Sequence, residues 1–421
     1  MNPRHPRDHS SPRPAPAPDV LSRRTLLRLA GAAGVVSATT AGSARLAFGA
    51  PGDGDVLVVL TRRGGFDGLG AVPPIGDPEY RRLRPTLAID EDAVKRIDGP
   101  FGLHPALDPL FRFWDDGTLA VVHAVGQSSP SRSHAEATAD LERAAPSSSG
   151  WIDRSLGALG QAGLLAGSAV GSPALPASMA GQHDKVAVGR IRGMRLSLGE
   201  DVVPLGTWQQ ALSQLHTGAK PEVSRPTSLA LRAVSALRPL SGQADDAVAA
   251  GYPGGRLGEA LHDVARLVKN RLGLRVAAVE SGGWDLHVNA GRTDGGPMHD
   301  RLRELGQALA AFANELGGDF GRVTVVTVSE FGRRAAENGS FGTDHGRGTA
   351  SLVLGGAVRG GRVYGRWPGL APGRLVDGDL AITTDYRSVL AEVLTTRLRA
   401  SSTAGVFPGF RPSSLGLLTP R

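Results

Sequence analysis

Val323-Thr324-Val325-Val326-Thr327-Val328 is an unbroken run of six β-branched residues. Branching at Cβ narrows χ1 and favours extended chain. A strand without apolar/polar alternation reads as buried on both faces, the setting of a parallel strand between helical layers. The run ends at Ser329-Glu330, which sets a carboxylate at the strand's exit. A Gly-rich turn then delivers Asp344 and His345 between Gly342 and Gly346. In open α/β sheets the chemistry lies beyond the carboxyl ends of the parallel strands. Glu330, Asp344 and His345 are therefore read as ligand-type side chains rather than surface decoration.

Other stretches repeat the pattern. Asp55–Leu60 is a compact apolar run that leads into Arg63-Gly64-Gly65-Phe66-Asp67-Gly68. Leu119–Val125 leads into Gly126 and the segment Ser128–His134. Arg275–Val279 leads into Ser281-Gly282-Gly283-Trp284-Asp285-Leu286-His287. Between the runs, helical spacing appears over His104–Asp115, from Ser133 to Glu142 and over His299–Leu316. A last helix is capped at Thr383-Thr384-Asp385 and carries Tyr386, Val389, Leu390, Val393 and Leu394 on one stripe. No repeat at solenoid periods is present. Alternating strands and amphipathic helices predict an α/β fold, three-layer α/β/α with a mostly parallel sheet. Residues 147–260 are Gly-, Ser- and Pro-rich and weakly periodic. They are expected to form an insertion or cap on a single domain spanning 51–421.

Composition removes several classes of function. There is no cysteine among the 421 residues, which excludes disulfides, thiolate metal sites and a cysteine nucleophile. The high pI does not point to nucleic acid. Residues 1–50 hold seven arginines against Asp8 and Asp19, a net of +5, so the remainder carries only +2 of the formal +7. Those fifty residues read as a leader. Ser22-Arg23-Arg24-Thr25-Leu26-Leu27 is a twin-arginine pattern, an Ala/Gly/Val stretch follows from Leu29 to Ala41, and small residues near Ala50 offer a cleavage site. Export through the twin-arginine pathway to the periplasm or the exterior is the expectation, with no membrane span in the mature chain.

Asp67, Asp285, His287, Glu330, Asp344 and His345 together supply oxygen and imidazole donors without thiolate. That set suits Zn²⁺ or Mn²⁺, with Mg²⁺ and Ca²⁺ also compatible, as one ion or as a pair. Asp285 and His287 are two residues apart and share a face of an extended segment. Singly, each has a plainer role: Asp67 as a turn residue, Glu330 as a surface partner of Arg333 or Arg334, His287 packed on Trp284. Their shared position at strand ends favours the ligand reading. Ser131, Arg132, Ser133 and His134 form the candidate catalytic segment, with Ser133 or Ser131 as nucleophile or anion anchor and Arg132 on the anion's oxygens. Ser133-His134-Ala135-Glu136 equally matches a capping box. No Gly-x-Ser-x-Gly elbow occurs in the mature strands, which argues against an α/β-hydrolase esterase.

Several of these motifs together resemble the secreted bacterial family known as domain of unknown function 1501, within the alkaline phosphatase/sulfatase superfamily. The resemblance runs through Gly64-Gly65-Phe66-Asp67-Gly68-Leu69, His104-Pro105-Ala106-Leu107, Arg132-Ser133-His134 and Gly282-Gly283-Trp284-Asp285-Leu286-His287. It continues in Ser329-Glu330-Phe331-Gly332-Arg333, Gly342-Thr343-Asp344-His345-Gly346 and Thr383-Thr384-Asp385-Tyr386-Arg387. The family usually has Ser-His-Phe-Asp where this chain has Ser133-His134-Ala135-Glu136, and Asp-Thr-His where Leu286 stands here. Ser128-Ser129-Pro130-Ser131-Arg132 is also similar to the sulfatase maturation signature, with serine in place of cysteine. The resemblance implies an alkaline-phosphatase-like core with a metal pocket. The expected activity is hydrolysis of phosphate or sulfate esters of small molecules or saccharides. The alternative is a non-catalytic secreted binding protein on the same scaffold.

Overall fold

The computed structural model describes residues 54–128, 131–160, 163–192, 221–242 and 246–421, with the short pieces 38–39, 197–198, 201–202, 206–207, 210–211 and 214. Apart from 38–39, the expected leader lies outside the described residues, as do Ser129 and Pro130 of the signature-like segment.

A ten-stranded sheet organises the chain. Its main strands are β1 (Val56–Arg62), β2 (Leu119–Gly126), β3 (Gly167–Val170), β4 (Lys185–Val188) and β5 (Val276–Ser281). They continue with β6 (Val323–Val328), β7 (Thr349–Leu354), β8 (Val363–Tyr364) and β9 (Thr384–Asp385). The order across the sheet is β4-β3-β5-β1-β6-β7-β2-β8, with β9 also paired to β2 and Ala38–Thr39 lying beyond β4. Neighbours pair in parallel except at β7, which runs antiparallel to both β6 and β2, and at Ala38–Thr39 on the edge. Reversal of β7 matters for the site. It brings the start of β7, not its end, to the edge where the parallel strands finish, so the loop holding Asp344 and His345 arrives there from the other direction.

The β-branched run behaves as its composition demands, with every residue of β6 buried. Alternate residues of β1 serve opposite faces: Val56, Val58 and Leu60 join one core, Leu57 and Val59 the other. The first core is covered by α4 (Arg256–Lys269) and α5 (Pro297–Leu316), through side chains such as Leu261, Leu302, Leu305 and Phe312. The second is covered by α1 (His134–Arg143), α2 (Trp151–Ala158) and α6 (Tyr386–Thr396), through Leu141, Trp151 and Leu390. Between these groups in chain order lies α3 (Pro221–Ser241). Each such side chain is worth about 1.5–3 kcal/mol relative to exposure. The architecture is three-layer α/β/α with a mostly parallel sheet, as the sequence pattern predicts.

Two expectations need correction. Residues 147–260 are not set apart as an insertion or cap, because β3 and β4 are strands of the main sheet. At four residues each, these strands are too short to produce a legible period. His104–Asp115 is not one α-helix: Pro105–Leu110 is a 3₁₀ helix and only Phe111–Asp115 is α. Pro109 lacks the amide that an α-helical turn would use there.

Candidate metal centre

Four loops meet at the carboxyl edge of β1, β5, β6 and β2. Their close approach depends on glycine. Gly64 has φ +119, and a Cβ there would lie 2.6 Å from the amide nitrogen of Asp285. At Gly342 a Cβ would lie 2.2 Å from the carbonyl of His287. With those side chains absent, backbone of one loop packs directly on backbone of the next.

Six of the ten singled-out residues converge here. His134 Nδ1 lies 3.0 Å from Glu330 Oε1, His287 Nδ1 3.2 Å from Asp344 Oδ1, and His345 Nδ1 2.8 Å from the carbonyl oxygen of Arg132. Carboxylates and carbonyls only accept, so each Nδ1 carries the proton and each Nε2 presents a lone pair. All three lone pairs point the same way. His287 Nε2 and His345 Nε2 lie 3.0 and 3.1 Å from Asp285 Oδ1 and 3.0 Å from each other. His134 Nε2 lies 3.4 Å from Asp285 Oδ2, and it is buried without a hydrogen-bond partner. Arg333 Nη1 lies 3.4 Å from His287 Nε2, but His134 Nε2 faces the carboxylate with no donor, and a divalent cation among the three would engage every lone pair. The spacings suit one, since metal–ligand bonds of about 2.0–2.1 Å in a tetrahedron place donors about 3.3 Å apart. His134, Asp285 and His345 offer ligand atoms that all lie within 4.8 Å of one another.

The remaining groups hold this arrangement in place. Glu330 is buried; its Oε1 also accepts the amide of Gly64 at 2.7 Å. Asn338 Nδ2 donates to Asp344 Oδ1 at 3.1 Å and to the carbonyl of His287 at 3.0 Å. Arg333 is buried and ties the loops together. It donates to the carbonyls of Gly64, Gly65, Trp284 and Thr343, and through Nη2 to Asp285 Oδ1 at 2.6 Å. Partial burial works against a charged Asp285. The hydrogen bond from Arg333 and the Arg333 charge outweigh it, bringing the carboxyl down to about 2. Asp344 is lowered as well, first by its bond from Asn338.

The other four residues are placed differently. Asp67 is not brought to the cluster. Its oxygens accept from the buried Arg84 at 2.6 and 2.9 Å, and Oδ1 also caps the Gly68–Ala71 turn at Gly70. Ser133 sits at the N-cap of α1 but makes no capping bond, so the capping box does not form. Glu136 instead accepts from Ser131 Oγ at 2.6 Å, and Ser131 Oγ accepts the amide of Ser133 at 3.1 Å. Arg132 turns its guanidinium to the fully buried Asp379.

Two of the plainer alternatives are not what the chain adopts. Glu330 pairs with His134 and Gly64 rather than with a surface arginine, and Trp284 packs edge-on against Phe66 with its Nε1 on Ser281. Sequence reasoning missed Arg333, Asn338 and Arg84 as organisers. An arginine within a Gly-rich loop beside a buried carboxylate is the one signal that would have found the first.

A profile of the family described as "Protein of unknown function (DUF1501)" matches residues 260–388, which hold Asp285, His287, Glu330, Asp344 and His345. No curated protein matches the sequence. Among solved structures, the chain is similar to Ps i-CgsB in complex with k-i-k-neocarrahexaose, at 9% identity and TM-score 0.39, covering 84% of this chain and 74% of that one. It is similar to the C-terminal periplasmic domain of EcEptC from Escherichia coli, at 11% identity and TM-score 0.33, over 86% and 89% of the two chains. The PsFucS1 sulfatase from Pseudoalteromonas sp. is matched at 14% identity and TM-score 0.32, over 74% and 64%. Among the described residues, no helix is long and apolar enough to cross a membrane.

Proposed function

We propose that this protein is an exported, metal-dependent hydrolase of phosphate or sulfate esters. In this reading one divalent ion, Zn²⁺ or Mn²⁺, is held by Nε2 of His134, His287 and His345 and by the carboxylate of Asp285. The observation that carries it is the set of three imidazoles, each with Nδ1 spent on an acceptor and Nε2 turned to one aspartate. Histidines that bind metals are held in this way by acceptors on their far nitrogen. His134 thus moves from the catalytic segment to the ligand set, while Glu330 and Asp344 become the groups that orient imidazoles. Asp67 leaves the set. The expectation of export comes from the twin-arginine leader.

Bound at this position, the ion would supply Lewis-acid polarisation of an ester oxygen and a more acidic water. The chain's own groups supply the rest. Arg333 keeps Asp285 ionised and aimed. Ser133 is exposed with its hydroxyl free of any capping bond, at the start of a ten-residue helix whose amides and dipole favour an anion. It is the candidate nucleophile or anion anchor, with Arg132 beside it.

A second reading, a binding protein without catalysis, is favoured by the engagement of Ser131 with Glu136 and of Arg132 with Asp379. Elemental analysis of the purified protein and assays on 4-nitrophenyl phosphate and sulfate separate the two. Bound metal with turnover lost in His345→Ala supports the hydrolase. Bound metal with no turnover across an ester panel supports the binding protein. A chain that takes up neither Zn²⁺ nor Mn²⁺ overturns both the ligand assignment and the hydrolase.

A further inference from the structure

Next to the cluster, the carboxyl edge of the sheet carries a cavity of about 760 Å³. Its walls are the ends of β1, β3 and β5 and the first turns of α4 and α5. The volume lies in the range of small-molecule sites, whereas a lone phosphate or sulfate group needs only a small part of it. Cavity and cluster share backbone. Gly283, on the cavity wall, stands two residues before Asp285, and Arg63 precedes Gly64, whose amide donates to Glu330.

The chemistry of the wall restricts what fits. Among the described lining residues there is no aromatic side chain. Arg63 is paired with Glu280, Arg301 with Glu304 at 2.8 Å, and Arg303 with Asp300 at 3.0 Å. Such pairs present fixed donors and acceptors side by side, the complement of neighbouring hydroxyl groups. Arg256 also lines the cavity and has no acidic partner among the described residues. Its charge remains available to an anion.

We propose that this cavity is the subsite for the remainder of the ester, and that the remainder is an anionic saccharide. Its hydroxyls meet the arginine–carboxylate pairs, and a second phosphate or sulfate group meets Arg256. The proposal rests on the reading that the ester itself lies at the neighbouring cluster.

Gly282 gives a means of testing it. A Cβ at this cavity-lining position meets nothing within 4 Å, and its φ lies outside the left-handed region. Gly282→Phe therefore places a ring on the wall with the backbone undisturbed. The experiment is calorimetric titration of the full chain, Zn²⁺-loaded and EDTA-treated, with a disaccharide carrying one or two sulfate esters and with the matching phosphate esters. The expected result is at least tenfold tighter binding of one doubly substituted probe over its singly substituted form. Arg256→Ala removes that difference, and Gly282→Phe weakens both forms at least tenfold, with Zn²⁺ affinity unchanged in both variants. Wild-type protein that binds no probe, or a Gly282→Phe variant that binds both like wild type, overturns the proposal. Discrimination that survives Arg256→Ala overturns its second half. Saccharide binding retained in a protein that never takes up Zn²⁺ upholds the cavity assignment while the metal-centre reading fails.

Discussion

The distinction between metal ligand and orienting group is sharpest at Asp344. It contacts the cluster only through His287 Nδ1, at 3.2 Å, on the side of the ring away from Asp285. Asp344→Ala leaves all four donors in place and removes one acceptor that fixes the His287 tautomer. Losses of this kind cost about 10- to 100-fold in metal affinity, or about 1.4–2.7 kcal/mol. The Asp344 side chain is 54% exposed, so solvent screens its pull on the ring and the lower end applies. About tenfold weaker Zn²⁺ binding is expected by isothermal titration calorimetry, with folding stability within about 0.5 kcal/mol of wild type, as for most surface changes. His345→Ala and Asp285→Ala, which each remove a donor, should lose far more affinity. If Asp344→Ala loses Zn²⁺ as completely as His345→Ala, Asp344 is itself a ligand and the orienting role is wrong. If none of the three variants changes Zn²⁺ uptake, the ion binds elsewhere.

Three further outcomes follow from other contacts. Burial pushes His104 and His123 down to about 4. Both folded values lie below that of an unfolded histidine, so the unfolded chain gains protons first. Stability should therefore fall as pH drops from about 6.5 towards 4, by about 1.4 kcal/mol per pH unit for each ring. Urea denaturation across that range should show one ring's share of the slope missing in His123→Gln; an unchanged slope refutes it. At the buried Asp153–Lys185 pair the partners pull in opposite directions. Burial lowers Lys185, while for Asp153 burial is outweighed by bonds from His183 and Lys185, which bring it to about 2. Asp153→Asn strands a fully buried ammonium and should cost about 3–5 kcal/mol in denaturant titrations; Lys185→Met should cost less, because His183 still serves Asp153. Arg333→Ala leaves the carbonyls of Gly64, Gly65 and Thr343 without donors, at about 1–3 kcal/mol each. It should lose more than 3 kcal/mol of stability together with Zn²⁺ affinity, and retention of both would show that the loops do not depend on it.

Much of the scaffold was legible because burial on both faces leaves a plain mark. The runs at β1, β2, β5 and β6 are dominated by Val, Leu and Ala, and each ends at a Gly- or Ser-containing loop. The short strands β3 and β4 left no such mark. Four residues of mixed Gly, Ser, Ala, Lys and Val are held extended by neighbouring strands rather than by their own preferences. The order of the sheet and the reversal of β7 were likewise absent from the pattern, since pairing partners far apart in the chain are chosen by tertiary packing.

The site divides in the same way. Residue type and position at strand ends singled out His287, Glu330, Asp285, Asp344 and His345, and the fold brings these five together at an edge where loops converge. Roles within the group depend on direction. Whether Glu330 faces an ion or the far nitrogen of His134 is a matter of a few ångströms and one ring orientation, which no spacing encodes. Asp67 shows the limit from the other side. It occupies a strand end like its neighbours, yet a buried arginine seventeen residues away takes both its oxygens. The linear chain thus determined which chemical groups stand at the edge of the sheet. Only the three-dimensional packing decided which atoms of those groups face one another, because hydrogen-bond partners are fixed by distances through space.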